Sequence, residues 1–260
     1  MVALPDLTTI DVEYDHDLGW LQGLHGAALD KLEYAYFRSE SSDIGDFLGA
    51  FESAALSAHI QNTLSTLGFY TSRPWNPNYS ALLSFNQLKE VQVQFSCEGG
   101  CSSRLGDDII VSLAWAMPKL EVLQLGRASC ATASGITVNG LTGLACGCPH
   151  LSRLRIHFRA TSLVEVETNT TIPSPSDDGS VSLRGDCVLS VLEVGETPIP
   201  EQSGLTVALV LLQNFPRITN VEYTNREWKT VQETIERCRR IGTFVHRTGE
   251  AHPPHIEDHK

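Results

Sequence analysis

The stretch M117-P-K-L-E-V-L-Q-L125 sets apolar side chains at Met117, Leu120, Leu123 and Leu125. The phrase is apolar, two residues, apolar, two residues, apolar, one residue, apolar. It returns in L4-P-D-L-T-T-I-D-V12 (Leu4, Leu7, Ile10, Val12), F85-N-Q-L-K-E-V-Q-V93 (Phe85, Leu88, Val91, Val93) and F215-P-R-I-T-N-V-E-Y223 (Phe215, Ile218, Val221, Tyr223). Looser copies are Leu29, Leu32, Ala35 and Phe37, then Cys148, Leu151, Leu154 and Ile156. Two further copies have a polar first position: Leu64, Leu67, Phe69 and Leu189, Leu192, Val194.

The third positions fall at residues 10, 35, 67, 91, 123, 154, 192 and 221, in steps of 25, 32, 24, 32, 31, 38 and 29. They average about 30, near the upper end of leucine-rich repeats. Proline follows the first position at Pro5, Pro118, Pro149 and Pro216. Proline is tolerated there because it precedes the strand and need not donate to a ladder.

Helical patterns lie between the phrases. Residues 43–58 place Ile44, Phe47, Leu48, Phe51 and Ala55 on one helix face. Residues 106–117 open with Asp107 and Asp108, favourable at a helix start. Residues 137–148, 204–215 and 226–241 follow the same pattern. Strand, loop and helix in succession predict an α/β fold: an irregular leucine-rich-repeat solenoid of about eight repeats, with a parallel concave sheet and convex helices. The solenoid is expected to span 1–245, with a disordered loop insertion at 168–180 and a disordered tail at 246–260 that carries four histidines. The charged outer face of 226–241 suits a C-terminal cap. The N-terminal end shows no such cap, which predicts an exposed strand edge.

Composition narrows the function. The chain has 260 residues and a formal net charge of −12, which argues against non-specific nucleic-acid binding. No run of 18 apolar residues predicts a membrane span, and the N-terminus lacks a signal-peptide pattern. Seven irregularly spaced cysteines do not read as a disulfide framework, so reduced thiols in the cytoplasm or nucleus are expected. The glycosylation sequons at Asn78 and Asn169 matter only in a secreted chain.

No catalytic constellation appears. Cys97 and Cys101 have no second pair at zinc spacing, and Cys146 and Cys148 are too close-set for a knuckle, so neither metal nor cofactor is expected. Nucleophile-elbow, phosphate-loop, zincin and kinase motifs are absent. Glu165 and Glu167, like Asp177 and Asp178, read as solvated charge, and Trp75, Tyr79, Trp115 and Trp228 as packing or loop anchors. The expectation is a chain that is not an enzyme.

The phrases LPDLTTIDVEYDH, IQNTLSTLGFYTSRPWNPNYSALLSF, VQFSCEGGCSS, AMPKLEVLQLG and LACGCPHLSRLRIHF resemble the leucine-rich-repeat part of fungal F-box-type proteins, over roughly residues 4 to 225. In that family an F-box binds a Skp-type adaptor of a cullin ubiquitin ligase, and the repeats present a substrate. A repeat phrase already begins at Leu4, so a Skp-type adaptor is implied only if an F-box lies upstream. The alternatives are a stand-alone interaction protein and a truncated gene product without a ligase role.

The surface is what remains. Side chains alternate along a strand, so the residues between the buried positions line the concave face. The candidate partner-binding residues are Tyr34, Tyr36, Arg38, Tyr70, Glu90, Gln92, Gln94, Gln124, Arg153, Arg155 and His157. Tyrosine and arginine concentrate at the energetic centres of interfaces, which points to a protein partner. The same residues read equally well as a solvated face that keeps the chain soluble.

Overall fold

The computed structural model describes residues 9–13, 29–36, 47–71, 78–94, 105–126, 135–160, 187–200 and 202–249. Eight strands appear in chain order: β1 (Thr9–Glu13), β2 (Lys31–Tyr36), β3 (Thr66–Thr71), β4 (Glu90–Gln94), β5 (Val122–Leu125), β6 (Arg153–Arg155), β7 (Val191–Gly195) and β8 (Asn220–Tyr223). They form one sheet in which spatial order equals chain order and every pairing is parallel. Parallel neighbours need a crossover, which the helices supply. Among the described residues these are α1 (Phe47–Ala58), α2 (Asp107–Ala116), α3 (Val138–Gly147) and α4 (Gly204–Asn214), while α5 (Trp228–Gly249) follows the last strand. A short 3-10 turn at Tyr79–Ser84 takes the helix's place between β3 and β4.

The proline after the phrase's first position explains where three helices stop. Met117, Cys148 and Phe215 sit at the C-caps of α2, α3 and α4, with φ near −120° and ψ of 65°, 77° and 75°. A following proline disfavours the helical ψ in the residue before it, so the chain must leave the helix there. Each of the three still donates its N–H four residues back, to Leu113, Leu144 and Leu211.

Register turns the sequence phrase into a column of side chains. Leu67, Val91, Leu123, Leu154, Leu192 and Val221 are direct partners from strand to strand. All six are buried, as are the first-position residues Phe85, Met117, Cys148 and Phe215. Burying each of the larger side chains contributes roughly 1.5–3 kcal/mol. The helices share this core through Leu48 and Phe51 of α1, Leu113 of α2, Leu144 of α3, Leu211 of α4 and Val231 of α5. Phe51 meets Phe69 edge-on at 5.2 Å and stacks on Phe85 at 5.4 Å.

The register corrects one copy of the phrase. Leu32, not Ala35, pairs with both Ile10 and Leu67. The first two steps are therefore 22 and 35 residues rather than 25 and 32. Helix α5 runs to Gly249, four residues into the segment expected as a tail. The 168–180 segment and residues 250–260 lie outside the described residues.

Two further devices hold the layers. Gly140, Gly143 and Gly147 of α3 face α2, and a Cβ at Gly147 would lie 2.8 Å from the backbone carbon of Ala114. Only glycine permits that approach. Asp107, at the start of α2, accepts the N–H groups of Thr137 (2.7 Å) and Gly140 (3.0 Å) and the Thr137 hydroxyl (2.5 Å). One carboxylate thus serves the N-terminus of the next helix, where N–H groups lack intrahelical acceptors. The substitution Asp107→Ala is expected to destabilise the chain by about 1.5–3 kcal/mol, measured as a lower urea midpoint at unchanged m-value. An unchanged midpoint would show that water replaces the carboxylate without loss.

Candidate functional site

Residues of the strands that do not enter the core form the opposite face of the sheet. Parallel register sets them in transverse rows. One row runs Gly68, Gln92, Gln124, Arg155, Glu193, Glu222, and a neighbouring row runs Thr66, Glu90, Val122, Arg153, Val191, Asn220. Tyr70 and Gln94 lead a third.

The side chains of this face bind one another across strands. Tyr70 Oη donates to Gln92 Oε1 at 3.0 Å, and Gln92 Nε2 donates to Glu90. Gln94 Nε2 reaches Gln124 Oε1 at 3.5 Å. Arg153 and Arg155 converge on Glu193 of the adjacent strand. Arg153 donates through Nε (2.7 Å) and Nη2 (2.6 Å) to Oε1, and Arg155 Nε donates to Oε2. Arg153 also lies 3.4 Å from Glu222 Oε2. The Glu193 side chain is only 5% exposed, against 20% for Arg155 and 42% for Arg153. The Glu193 hydrogen bond, outweighing the opposing effect of burial, raises the Arg153 pKa from its ordinary value. The Nδ1 of His157 lies 3.5 Å from Thr197 Oγ1, and the Thr197 carbonyl accepts the indole N–H of buried Trp228 at 2.6 Å.

The structure therefore brings together most of the expected surface residues: Tyr70, Glu90, Gln92, Gln94, Gln124, Arg153 and Arg155, with His157 two residues beyond the last paired position. In β2 the register pairs Tyr34 with Phe69 and Tyr36 with Thr71, three residues from the alignment expected of the phrase. Arg38, Trp75, Cys97, Cys101 and the paired acids between Glu165 and Asp178 lie outside the described residues. Glu193 is not among the candidates read from the sequence, yet it is the centre of the cluster. Its signal was its place: it is the one carboxylate following Leu192, which makes it the register partner of Arg155.

Two thiols belong to the core. Cys148 and Cys187 are buried, and their Sγ atoms approach the carbonyls of Ala114 (3.6 Å), Met117 (3.7 Å) and Leu151 (3.7 Å). Among the described residues no three His, Cys, Asp or Glu side chains form a metal-binding group. Among them, too, no helix is long and apolar enough to cross a membrane. Trp115 is 68% exposed on α2, on the other side of the molecule from the polar rows.

No protein-family model matches this chain, and no curated protein matches it.

Two measurements follow from these environments. Burial, with a smaller contribution from Cys187, pushes the Cys148 thiol up to about 12. The folded-state pKa is raised, so the stabilisation is complete below the unfolded value near 9 and is lost as pH rises from there towards 12. Wild type should lose stability above pH 9 more steeply than Cys148→Ala; parallel curves would remove the thiol as the cause. Glu193→Gln leaves two guanidinium groups without their shared anion. Its expected cost is roughly 2–4 kcal/mol by urea unfolding, below the figure for a fully buried pair because Arg153 is partly solvated. A loss under about 0.5 kcal/mol would show the pairing to be incidental.

Proposed function

We propose that the chain is an irregular leucine-rich-repeat solenoid that recognises a protein partner on the open face of its sheet, without catalysis. The recurring phrase supports the solenoid reading, because seven of its eight third positions coincide with one register column, Ala35 of β2 being the exception. A single observation carries the functional reading. The polar side chains of the open face are tied to each other across strands, from Tyr70 to Glu222, while the helices occupy the opposite side. A surface whose rotamers are already fixed loses less entropy on binding than a mobile one, which is what a recognition face needs. A merely solvated face has no need of a buried carboxylate such as Glu193.

The sequence resemblance gives this reading a specific form, the substrate-presenting repeats of a ubiquitin-ligase receptor. In that form the open face meets the substrate, and a Skp-type adaptor is the F-box's partner rather than this sheet's. The overall charge of −12 agrees with a protein rather than a nucleic-acid partner.

Photo-crosslinking locates the face in use. With benzoylphenylalanine at Gln94 on the open face or at exposed Ser112 on α2, a partner from cell extract is expected to crosslink at Gln94 only. Crosslinking confined to Ser112 would show that the helix side is the recognition surface.

A further inference from the structure

The charges of the open-face cluster balance while its hydrogen bonds do not. Arg153 and Arg155 carry two positive charges and Glu193 and Glu222 two negative ones. Arg155 spends only its Nε on Glu193, and no described residue accepts from its Nη1 or Nη2. Beside it in register, Gln124 uses its Oε1 to accept from Gln94, and no described residue accepts from its Nε2. Gln124 is 8% exposed as a residue, and the Arg155 side chain is 20% exposed. The two donor groups stand on adjacent strands whose backbones lie about 4.8 Å apart; neither is sealed from solvent, and neither has an acceptor among the described residues. The guanidinium plane is fixed by its bond to Glu193.

From this we propose that Arg155 and Gln124 form a docking site for a single carboxylate, an Asp or Glu side chain of the partner's extended segment. The site rests on the open-face reading above and names the partner's chemistry. The Nη pair of an arginine matches the two oxygens of a carboxylate, and a guanidinium oriented beforehand forms that fork at a lower entropic cost. The amide N–H of Gln124 supplies a further donor from the side. Surrounding charge sets the limits of specificity. Glu193 and Glu222 flank the fork, and Glu90 lies in the neighbouring row, so a monoanion is accommodated where a dianion meets repulsion. The net charge of −12 likewise opposes a generally acidic partner. The fitting segment carries one acidic residue among neutral or basic neighbours.

The test is selection of a displayed random peptide library on the full chain, followed by affinity measurement on the enriched peptides. The expected result is an Asp or Glu shared by the enriched peptides. Changing it to the amide, or replacing Arg155→Lys in the protein, should weaken binding roughly tenfold or more, the worth of about 1.4 kcal/mol. Gln124→Glu is the second variant: it supplies a carboxylate to Arg155 from within the chain. It should abolish the preference for the acidic residue while leaving the melting temperature equal or higher, so loss of binding is not loss of fold. If enriched peptides crosslink to Gln94 but need no carboxylate, the carboxylate site is wrong and the recognition face stands. If they bind all variants alike and crosslink only to Ser112, both readings fall. Tighter binding of phosphoserine than of glutamate at the selected position overturns the monoanion site, as does a selection that enriches nothing.

Discussion

From β2 to β8 the sheet depends on one backbone contact made again at each of six steps. The carbonyl of the residue just ahead of a strand accepts two N–H groups from the start of the next strand. The acceptors are Asp30, Ser65, Lys89, Glu121, Ser152 and Ser190, and the distances lie between 2.7 and 3.2 Å. In four places a hydroxyl adds a third bond: Ser65 to Asp30, Ser152 to Glu121, Ser190 to Ser152 and Thr219 to Ser190, at 3.0–3.1 Å. Because side chains alternate with a period of two, a slip of one residue would exchange core and open face in the strand concerned. The clamp at the start of each strand opposes that slip before any side chain packs.

Such a sheet must also end. An edge strand presents unpaired N–H and C=O groups that invite pairing with another chain. At β8 the last helix answers this with side chains. Gln232 Oε1 accepts the N–H of Val221 at 2.8 Å, Gln232 Nε2 donates to the Thr219 carbonyl at 3.3 Å, and Arg239 donates to the Ile218 carbonyl at 2.7 Å. The helix is held over the edge by Trp228, Val231 and Ile235, all buried. Its outer face carries the pairs Lys229–Glu233 and Glu236–Arg240, which do little beyond keeping that side wet. Of the charged stretch expected to form a cap, Arg239 meets the edge, and the uncharged Gln232 does so beside it.

How far the sequence was legible follows from what each feature requires. From β3 to β8 the apolar phrase locates the register column to the residue, because each copy has one placement that buries its large side chains. At β2 the stretch LDKLEYAYF admits two placements three residues apart, one ending on Phe37 and one on Tyr34. Tyrosine is apolar in body and polar at its tip, so composition does not choose between them. Pairing with Leu67 does. The Asp107 cap was half legible: the acid at a helix start was evident, but not that it serves the following helix, 30 residues on at Thr137. The Glu193 cluster needed more, since Arg153 and Glu193 lie 40 residues apart across the longest step between phrases.

That cluster is a pairing that adds little net stability, and its value on the proposed recognition reading lies elsewhere. Withdrawing Glu193 and much of Arg155 from water costs about as much as the attraction returns, so an apolar row at the same positions would hold the sheet equally well. What the ionic arrangement provides is direction. Glu193 takes one oxygen's worth of bonds from Arg153 and the other's from Arg155. A buried acceptor with both oxygens engaged fixes two long side chains that would otherwise sample many rotamers, each at a cost on binding of about 0.5–1.5 kcal/mol. The fixed Arg155 then presents its remaining donors outward at one angle, beside an amide anchored by Gln94. On the proposed recognition reading, specificity would come from donors left over after the internal pairing is complete, and the internal pairing determines which donors those are.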